Sequence, residues 1–214
     1  MRKILSLIVM VIAFTGISNA QTEKGTSYLG LNIGYSSRNE KHTLNYQNYT
    51  SGQVEKTDNK GFLIGPSFSR FIADKLEVGV AAAYGYSKME TDRDVPEHTT
   101  QNQYVGSLFI RKHVMFTDQF GLRTGPSFSF SYAKSETDVS PGENETMQYT
   151  GGLVLDLEYF PLKRLGIAAN IGGLYYESSK TRTNNKEVIR RTNTFDFSFT
   201  NSLNLSVFWV LGKK

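Results

Sequence analysis

The stretch that most restricts the fold of this chain is residues 152–176, GLVLDLEYFPLKRLGIAANIGGLYY, in which apolar residues alternate with polar or small ones. The alternation runs through two segments that a tight turn at residues 161–164 separates, and it is predicted to keep Tyr175 on the apolar face. Because successive side chains of a β-strand point to opposite faces, the pattern predicts a hairpin with one apolar face. Asp156 and Glu158 lie mid-strand on the other face, which favours a barrel with an apolar outer face and a narrow polar interior.

The N-terminus has the pattern of an export signal. A short basic start and an apolar run through Ile17 precede the small residues Ser-Asn-Ala, which form a cleavage site. We therefore predict a signal peptide at residues 1–20 and a single domain at residues 21–214. The alternative, an uncleaved membrane anchor, would need a longer apolar run. The chain has no cysteine, so neither disulfides nor a lipid anchor on an N-terminal cysteine are expected.

Charge and hydropathy exclude two further classes of protein. With Arg2 and Lys3 removed, 22 basic residues remain against 20 acidic ones, and they are scattered along the chain. Nucleic-acid-binding proteins concentrate basic residues on one face, so no nucleic-acid partner is expected. No apolar run after Ala20 approaches the ~18 residues of a membrane helix. Hydropathy alone would indicate a soluble protein, but the strands of a membrane barrel are only half apolar and escape hydropathy windows.

Eight alternating segments predict an all-β fold, an eight-stranded antiparallel up-and-down transmembrane β-barrel. Their connections alternate between long polar segments and short turns, which places all short turns at one end of the barrel and all long loops at the other. The predicted strands are residues 27–36, 61–71, 76–87, 104–116, 120–132, 152–160, 165–176 and 194–210. The short connections are 72–75, 117–119 and 161–164, and the long ones are 37–60, 88–103, 133–146 and 177–193.

Two prolines interrupt the predicted strands. Pro66 and Pro126 each follow a glycine and precede Ser-Phe-Ser. Proline cannot donate a hydrogen bond to the ladder and is unusual in a central strand. We therefore predict a local bulge at each proline.

The whole mature chain resembles the outer-membrane β-barrel domain family of Gram-negative bacteria, the small OmpA/OmpX-like barrels. The resemblance rests on the signal peptide, the eight strands with their glycines and aromatics, Phe109-Ile110-Arg111 before a short turn, and the aromatic last strand LNLSVFW at residues 203–209. It implies a location in the outer membrane after export, outer-membrane lipid and lipopolysaccharide as surroundings, and the barrel-assembly machinery as a partner. Family members typically end on an aromatic residue, whereas this chain continues past Trp209 to Lys214.

Charged residues are predicted inside the barrel. An eight-stranded barrel is just wide enough for its own side chains to fill, and an unpaired buried ion costs several kcal/mol. We therefore expect these charges to pair with one another and to close the lumen; the alternative is a small gated pore, in which re-pairing of the arginines opens a path. The predicted lumen charge network consists of Glu77, Arg111, Arg123, Asp156, Glu158 and Asp196.

Aromatic residues collect towards both ends of the predicted strands. Two belts of amphipathic rings at headgroup level are typical of a membrane barrel. The belt near the short turns comprises Phe71, Phe116, Phe120, Tyr159, Phe160 and Trp209. The belt near the long loops comprises Tyr35, Tyr84, Tyr86, Tyr132, Tyr175 and Tyr176.

No catalytic residue, metal ligand or cofactor is predicted. Ester hydrolysis needs a nucleophile activated by a base that a carboxylate orients. His42 and His98 lie in different long connections and His113 lies near the short-turn end, so a lipid-modifying enzyme is the weaker alternative. No spacing of His, Asp and Glu repeats in the manner of a metal site, and there is no Cys.

The sequence therefore favours a monomeric outer-membrane barrel with a structural or surface-interaction role and four long extracellular loops, whose ligand the sequence does not identify. A soluble ligand-binding barrel of the lipocalin kind is the rival hypothesis. Such a barrel turns its apolar face inward, which would leave Gly30, Gly34, Gly79 and Gly85 on the surface. The only tryptophan, Trp209, also lies in the last strand and not near the first.

Overall fold

The computed structural model describes residues 19–44, 53–92, 97–138, 143–183, 187–199 and 203–212. Apart from residues 19 and 20, the predicted signal peptide lies outside the described residues, as do the tips of the four long connections. Within the described ranges, no helix has the length and apolar character needed to cross a membrane.

A short 3₁₀ turn (Asn19–Thr22) precedes nine antiparallel β-strands. The strands are β1 (Ser27–Leu44), β2 (Gln53–Ala73), β3 (Leu76–Asp92), β4 (Glu97–Met115), β5 (Phe120–Thr137), β6 (Glu143–Leu162), β7 (Leu165–Thr183), β8 (Val188–Phe199) and β9 (Leu203–Leu211).

The strands close into a ring with eight positions. From β1 to β8, each strand pairs with the next in sequence, and β9 pairs with both β1 and β7. β8 and β9 share the last position, since β8 lies along residues 172–182 of β7 and β9 lies along residues 165–169. The predicted eight-stranded antiparallel up-and-down barrel is confirmed.

The connections at one end of the barrel are short, at residues 74–75, 116–119 and 163–164. At the other end the strands run far into the segments that the sequence predicts as loops. β1 and β2, for example, remain paired as far as Leu44 and Gln53. Polar residues do not end a ladder, because paired backbone N–H and C=O groups satisfy each other whatever the side chains are.

The outer face of the ring carries the large apolar side chains. Leu29, Leu108 and Phe197 have exposed fractions of 53%, 58% and 74%, although residues of these types are usually buried in a soluble domain. The inner face carries glycine, alanine, serine and the buried charges. This orientation is the reverse of the one that the lipocalin-like alternative requires.

One register shift changes the predicted faces of β7. Leu155 pairs with Gly172, but the next residue of β6, Asp156, pairs with Asn170. Ile171 is therefore an extra residue in β7, in the manner of a β-bulge. Because the side-chain period of a strand is two, one inserted residue moves all later side chains to the opposite face.

The bulge places Tyr175 inside the barrel. Its neighbour Leu174 pairs with Leu153, an outward residue that is 51% exposed, so Tyr175 points the other way. A Cβ built on Gly152, the partner of Tyr175 in β6, would lie 2.9 Å from the tyrosine ring. The prediction that Tyr175 belongs to an outer aromatic belt is therefore wrong.

The prolines do not produce bulges. The register between β2 and β3 is the same on both sides of Pro66, and the register between β4 and β5 is the same on both sides of Pro126. Instead, the two strands approach closely at the preceding glycine. A Cβ on Gly65 would lie 1.9 Å from the carbonyl oxygen of Ala82, and one on Gly125 would lie 2.2 Å from a carbonyl oxygen of β4. Glycine is needed at both positions because no side chain fits there.

Candidate functional site in the barrel interior

Four aromatic side chains fill the interior at the short-turn end; we call them the aromatic floor. They are Tyr28, Phe71, Phe160 and Phe208, and each is at most 3% exposed. The ring of Tyr28 stacks on Phe208 with a centroid distance of 4.5 Å and meets the edge of Phe71 at 5.0 Å. Such contacts, together with the buried area, make this a small apolar core inside the barrel.

Two members of the aromatic floor are misplaced by the sequence prediction. Phe71 and Phe160 are predicted in the outer belt near the short turns, and this is wrong, since both are 1% exposed. Each lies two residues beyond an inward residue, Ser69 in β2 and Glu158 in β6, so the alternation itself turns it inward. Their position near a turn was a weaker signal than their place in the alternation.

The segment before β1 lies beneath the aromatic floor. Gln21 and Thr22 are each 6% exposed. The Tyr28 hydroxyl donates to the carbonyl of Gln21 at 3.0 Å, and the Gln21 side-chain amide donates to the carbonyl of Lys163 at 3.3 Å. The backbone amide of Lys75 donates to the carbonyl of Thr22 at 2.7 Å. These bonds tie the segment to two of the short turns and close this end of the ring.

Six charged side chains lie directly above the aromatic floor; we call them the buried charge cluster. The His113 ring contacts the floor, with its centroid 4.9 Å from that of Phe71 and 6.2 Å from that of Tyr28, and the Arg123 guanidinium lies 5.4 Å from the centroid of the Phe208 ring. The cluster comprises Glu77 from β3, Arg111 and His113 from β4, Arg123 from β5, and Asp156 and Glu158 from β6.

His113 lies between two glutamates. Its Nε2 is 3.0 Å from Oε2 of Glu77, and its Nδ1 is 2.9 Å from Oε2 of Glu158. The Ser69 hydroxyl donates to the other oxygen of Glu77. All three charged side chains are at most 2% exposed. Because a carboxylate only accepts hydrogen bonds, His113 satisfies both partners when both ring nitrogens carry a proton, that is, as an imidazolium.

Asp156 forms ion pairs with both arginines. Arg123 donates from Nε to Oδ2 of Asp156 at 2.8 Å, and the Asn170 amide donates to Oδ1 at 2.9 Å. Nη2 of Arg111 is 3.8 Å from Oδ2, and its guanidinium lies 4.0 Å above the ring of Phe109. Arg111 is 17% exposed against 3% for Arg123, so it forms the outer edge of the cluster.

The cluster is balanced in charge. Two guanidiniums and one imidazolium face three carboxylates, and each charge has an opposite charge within 4 Å. Removal of one partner from such a buried set leaves an uncompensated ion, which is far more costly than the pair itself is favourable. The arrangement can therefore hold four strands together across the lumen.

Five of the six residues of the predicted lumen charge network meet in this cluster. The sixth, Asp196, does not: it lies on β8 opposite Tyr175 and is exposed. His113 also belongs to the cluster, although the predicted network leaves it out. The signal was present in the sequence, because His113 lies two residues from Arg111 and so shares its inward face.

The remaining predicted belt residues lie outside the lumen. Tyr35, Tyr84, Phe116, Phe120, Tyr176 and Trp209 are 38–58% exposed, and Tyr86, Tyr132 and Tyr159 are partly exposed. The structure also exposes aromatics that the predicted belts do not include, among them Tyr104, Tyr149, Phe195, Phe197 and Phe199. In the described part of the chain, no group of three or more His, Asp or Glu side chains is placed to hold a metal ion.

The sequence matches no protein-family model and no curated protein. Among solved structures, the fold is similar to the outer membrane protein OprG from Pseudomonas aeruginosa, with a TM-score of 0.47 and 11% identity, over 91% of this chain and 99% of that one. It is also similar to Neisserial surface protein A (NspA), with a TM-score of 0.42, 12% identity and coverage of 89% and 100%. For Ail, the attachment invasion locus protein of Yersinia pestis, the TM-score is 0.36 and the identity 13%, over 88% of this chain and 99% of that one. In strand number, order and direction, this chain forms an antiparallel up-and-down β-barrel with eight strand positions.

Proposed function

We propose that this chain is an integral outer-membrane protein with a structural or surface-interaction role, and that its lumen does not conduct. The observation that carries the proposal is the buried charge cluster, which lies across the lumen on top of the aromatic floor. A barrel that is closed by its own side chains serves as an anchor and a scaffold. Its function then resides in the envelope that it stabilises and in the segments that it displays.

The exposed apolar face supports the membrane location. Large apolar side chains cover the outside of the ring, and exposed patches of this extent are unfavourable in water. Where β1 pairs with β9, from Ser27 to Tyr35, the ring is closed and its backbone groups are paired on both sides, which is the requirement for a sheet in hydrocarbon. The exposed aromatics near the short turns, Phe116, Phe120 and Trp209, suit one headgroup region, and Tyr35, Tyr84 and Tyr176 suit the other.

The polar strand extensions support a role at the cell surface. β1 and β2 remain paired for several residues beyond Tyr35 and Phe62, the last large aromatics of their outer faces. The extensions carry threonine, asparagine, lysine and glutamate, which suit water and not a lipid tail. We propose that they project from the outer leaflet and that the protein is a monomer, with the barrel-assembly machinery as its partner during insertion.

A small gated pore is the second candidate, and the position of Arg111 favours it. Arg111 is held to Asp156 at 3.8 Å, which is longer than the 2.8 Å bond of Arg123, and it is the most exposed cation of the cluster. An arginine that exchanges partners there would widen the upper part of the lumen. We do not propose an enzyme, since both ring nitrogens of His113 are occupied by carboxylates and have no nucleophile to activate.

The test combines location with conductance. The chain is expressed with its signal, outer membranes are isolated, and its gel mobility is compared with and without boiling in SDS. A folded barrel resists SDS, so we expect a heat-dependent shift, and we expect the purified barrel to give no steady conductance in a planar bilayer. Recovery in the soluble periplasmic fraction without a shift would contradict the membrane location. A heat-dependent shift together with steady conductance would contradict the closed lumen and favour the pore.

A further inference from the structure

A cavity lies inside the barrel near the long-loop end; we call it the upper cavity. Its volume is about 290 Å³, close to the lower limit for a site that holds one small molecule. Residues of β1, β2, β3, β4 and β9 form its wall. Gln103, in this wall, precedes Arg111 of the buried charge cluster on β4 by about 26 Å along the strand. The upper cavity is therefore a separate space, on the side of the lumen that faces the long connections.

Two rows of paired residues build the wall of the upper cavity. Both rows lie on the inner face, because their members on β3 and β4 are an even number of residues from the inward Glu77 and Arg111. From β9 to β4, the first row consists of Asn204, Gly34, Leu63, Gly85 and Gln103. The second row, nearer the long connections, consists of Ser36, Gly61, Ser87 and Gln101. Each row thus ends on β4 with a glutamine.

Small residues leave the space open. Gly34 and Gly85 are buried, and each presents no side chain to the lumen. A Cβ built on Gly85 would lie 3.6 Å from the side-chain oxygen of Gln103, so this oxygen lies close to the glycine. A Cβ on Gly61 would lie 3.3 Å from Oγ of Ser36. The glycines therefore let the polar groups of neighbouring strands border one common space.

The two glutamines have unused hydrogen-bonding groups. Gln101 and Gln103 are half-buried, and their amides form no hydrogen bond with another residue in the part of the chain that the structure describes. By contrast Gln148, an inward glutamine of β6, donates to the Thr150 hydroxyl at 3.3 Å. A side-chain amide offers two N–H donors and a carbonyl acceptor. Because polar groups inside a protein nearly always have a partner, these amides are placed for water or for a ligand.

The upper cavity is uncharged. None of the described residues that line it carries a charge. Arg38 and Glu40, the next inward charged residues of β1, lie 3.6 Å apart and form an ion pair with each other. An ion that entered the cavity would lose hydration and gain no opposite charge. Amides and hydroxyls together both donate and accept, so they favour a neutral ligand whose own groups do both.

We propose that the upper cavity binds one neutral sugar ring, either free or at the end of a glycan chain. The amides of Gln101 and Gln103 and the hydroxyls of Ser36 and Ser87 would hold its hydroxyl groups, each of which donates one hydrogen bond and accepts others. Leu63, in the same wall, offers an apolar contact to the C–H groups of the ring. This binding site goes beyond the structural role proposed above, and it does not require a conducting lumen.

The ligands of the test differ in charge alone. The ¹⁵N-labelled barrel is refolded in micelles of a phosphocholine detergent, which has no sugar headgroup, and glucose is titrated into it. Binding is followed by NMR through the backbone amide signals of Gly34, Gly61 and Gly85, which we expect to shift and to saturate. Glucuronate and glucosamine have a similar ring with a negative and a positive charge. They should cause no saturable shift, because the cavity offers no opposite charge.

The chain also offers a matched pair of variants. Q101L/Q103L removes both amides of the upper cavity, and Q148L removes the lumen amide that is already bonded to Thr150. Because a hydrogen bond contributes about a fivefold gain in affinity, we expect Q101L/Q103L to bind glucose at least about tenfold more weakly. Q148L should bind glucose like the unaltered chain. Maltotriose identifies the source of the sugar: binding as strong as that of glucose supports a chain end, and binding of glucose alone supports a free sugar.

Three outcomes would overturn the proposal. They are no saturable shift with glucose in large excess, which would mean that the cavity holds only water, equal shifts with the three sugars, or equal glucose binding by Q101L/Q103L and Q148L. If Q101L/Q103L lost its heat-dependent gel shift and so did not fold, the comparison of the three sugars on the unaltered chain would decide. Failure of the outer-membrane location is seen separately, as recovery of the unaltered chain in the soluble periplasmic fraction.

Discussion

Arg123 donates its Nε–H to Asp156 at 2.8 Å at a place in the lumen where both side chains are at most 5% exposed. Asp156 retains only the Asn170 amide and the more distant Arg111 if this bond is lost. The bond is therefore the main support of one buried carboxylate, and the stability of the barrel should depend on it.

The first prediction concerns these two arginines. We expect Arg123→Ala to lower the free energy of unfolding by about 3–5 kcal/mol, since it leaves a buried charge without its partner. Arg111→Ala is the matched control. It should lower the free energy of unfolding by less, because Arg111 lies 3.8 Å from Asp156 and is more exposed than Arg123. Urea unfolding in micelles, followed by the gel shift, gives both values. A rise in conductance in Arg123→Ala without loss of stability would contradict the closed-lumen proposal.

The second prediction concerns the bridge that His113 makes between two glutamates. His113→Ala leaves two carboxylates facing each other in a buried site, so we expect a loss of several kcal/mol in unfolding free energy. The triple variant E77Q/H113A/E158Q removes all three charges and should be more stable than His113→Ala alone. Unfolding of the single, the double E77Q/E158Q and the triple variant forms a cycle that measures this coupling. Additive losses would show that the three residues do not act together.

The third prediction compares a lumen aromatic with a lipid-facing one. Phe160 is 1% exposed in the aromatic floor, and Phe116 is 58% exposed. Phe160→Ala opens a cavity beneath the charges, so we expect a loss of about 3–5 kcal/mol in unfolding free energy. Phe116→Ala should lose clearly less, because the surrounding lipid replaces the missing contacts. Equal losses would contradict the assignment of Phe160 to the interior.

The fourth prediction concerns the glycines that precede the prolines. A Cβ at residue 65 would lie 1.9 Å from the carbonyl oxygen of Ala82, whereas a Cβ at Gly106 meets nothing within 4 Å. We expect Gly65→Ala to destabilise the barrel by about 1–3 kcal/mol, the usual cost of forcing strands apart. Gly106→Ala should have no measurable effect. Urea unfolding of both variants in the same micelles is the measurement.

The fifth prediction tests the change of faces that the bulge at Ile171 produces. Trp209 is the only tryptophan, so replacing it with phenylalanine gives a silent background. In that background, tryptophan placed at Tyr176 should be quenched by brominated phospholipid, and tryptophan placed at Tyr175 should not. The two residues are adjacent in sequence, so they lie at nearly the same depth in the bilayer. A difference in quenching between them therefore reports which face of β7 each occupies. Stronger quenching at position 175 would show that the alternation continues without a bulge.

The sequence predicts the ring well because its strongest signal, the two-residue period, acts at every position of a strand. Glu77, Arg111, Arg123, Asp156 and Glu158 are placed inside by that period alone, and the structure brings them together. The period fails at Ile171, because a bulge depends on how β6 and β7 fit together and leaves no mark in the alternation of one strand. Asp196 is separated from the network for a related reason, since depth in the lumen depends on register and not on which face a residue occupies.

The prediction for Phe71 and Phe160 was wrong for a different reason. Their position near a turn predicts the membrane surface, whereas the two-residue period predicts the interior for both, and the period is the stronger signal. The predicted network contains only arginines and carboxylates and therefore omits His113, which lies on the same face as Arg111. Applied to every residue, the two-residue period places Phe71, Phe160 and His113 inside the barrel.

The ring is not equally strong all the way round. β1 pairs with β2 through 18 residues and with β9 through only nine, from Ser27 with Leu211 to Tyr35 with Leu203. This junction pairs the first strand with the last, so it closes the longest loop of the ring and has the largest loop-closure entropy to offset. We therefore expect denaturant to separate the strands at this junction first. The rate at which the closed barrel re-forms should then depend on this nine-residue ladder and not on the long hairpins that make up most of the wall.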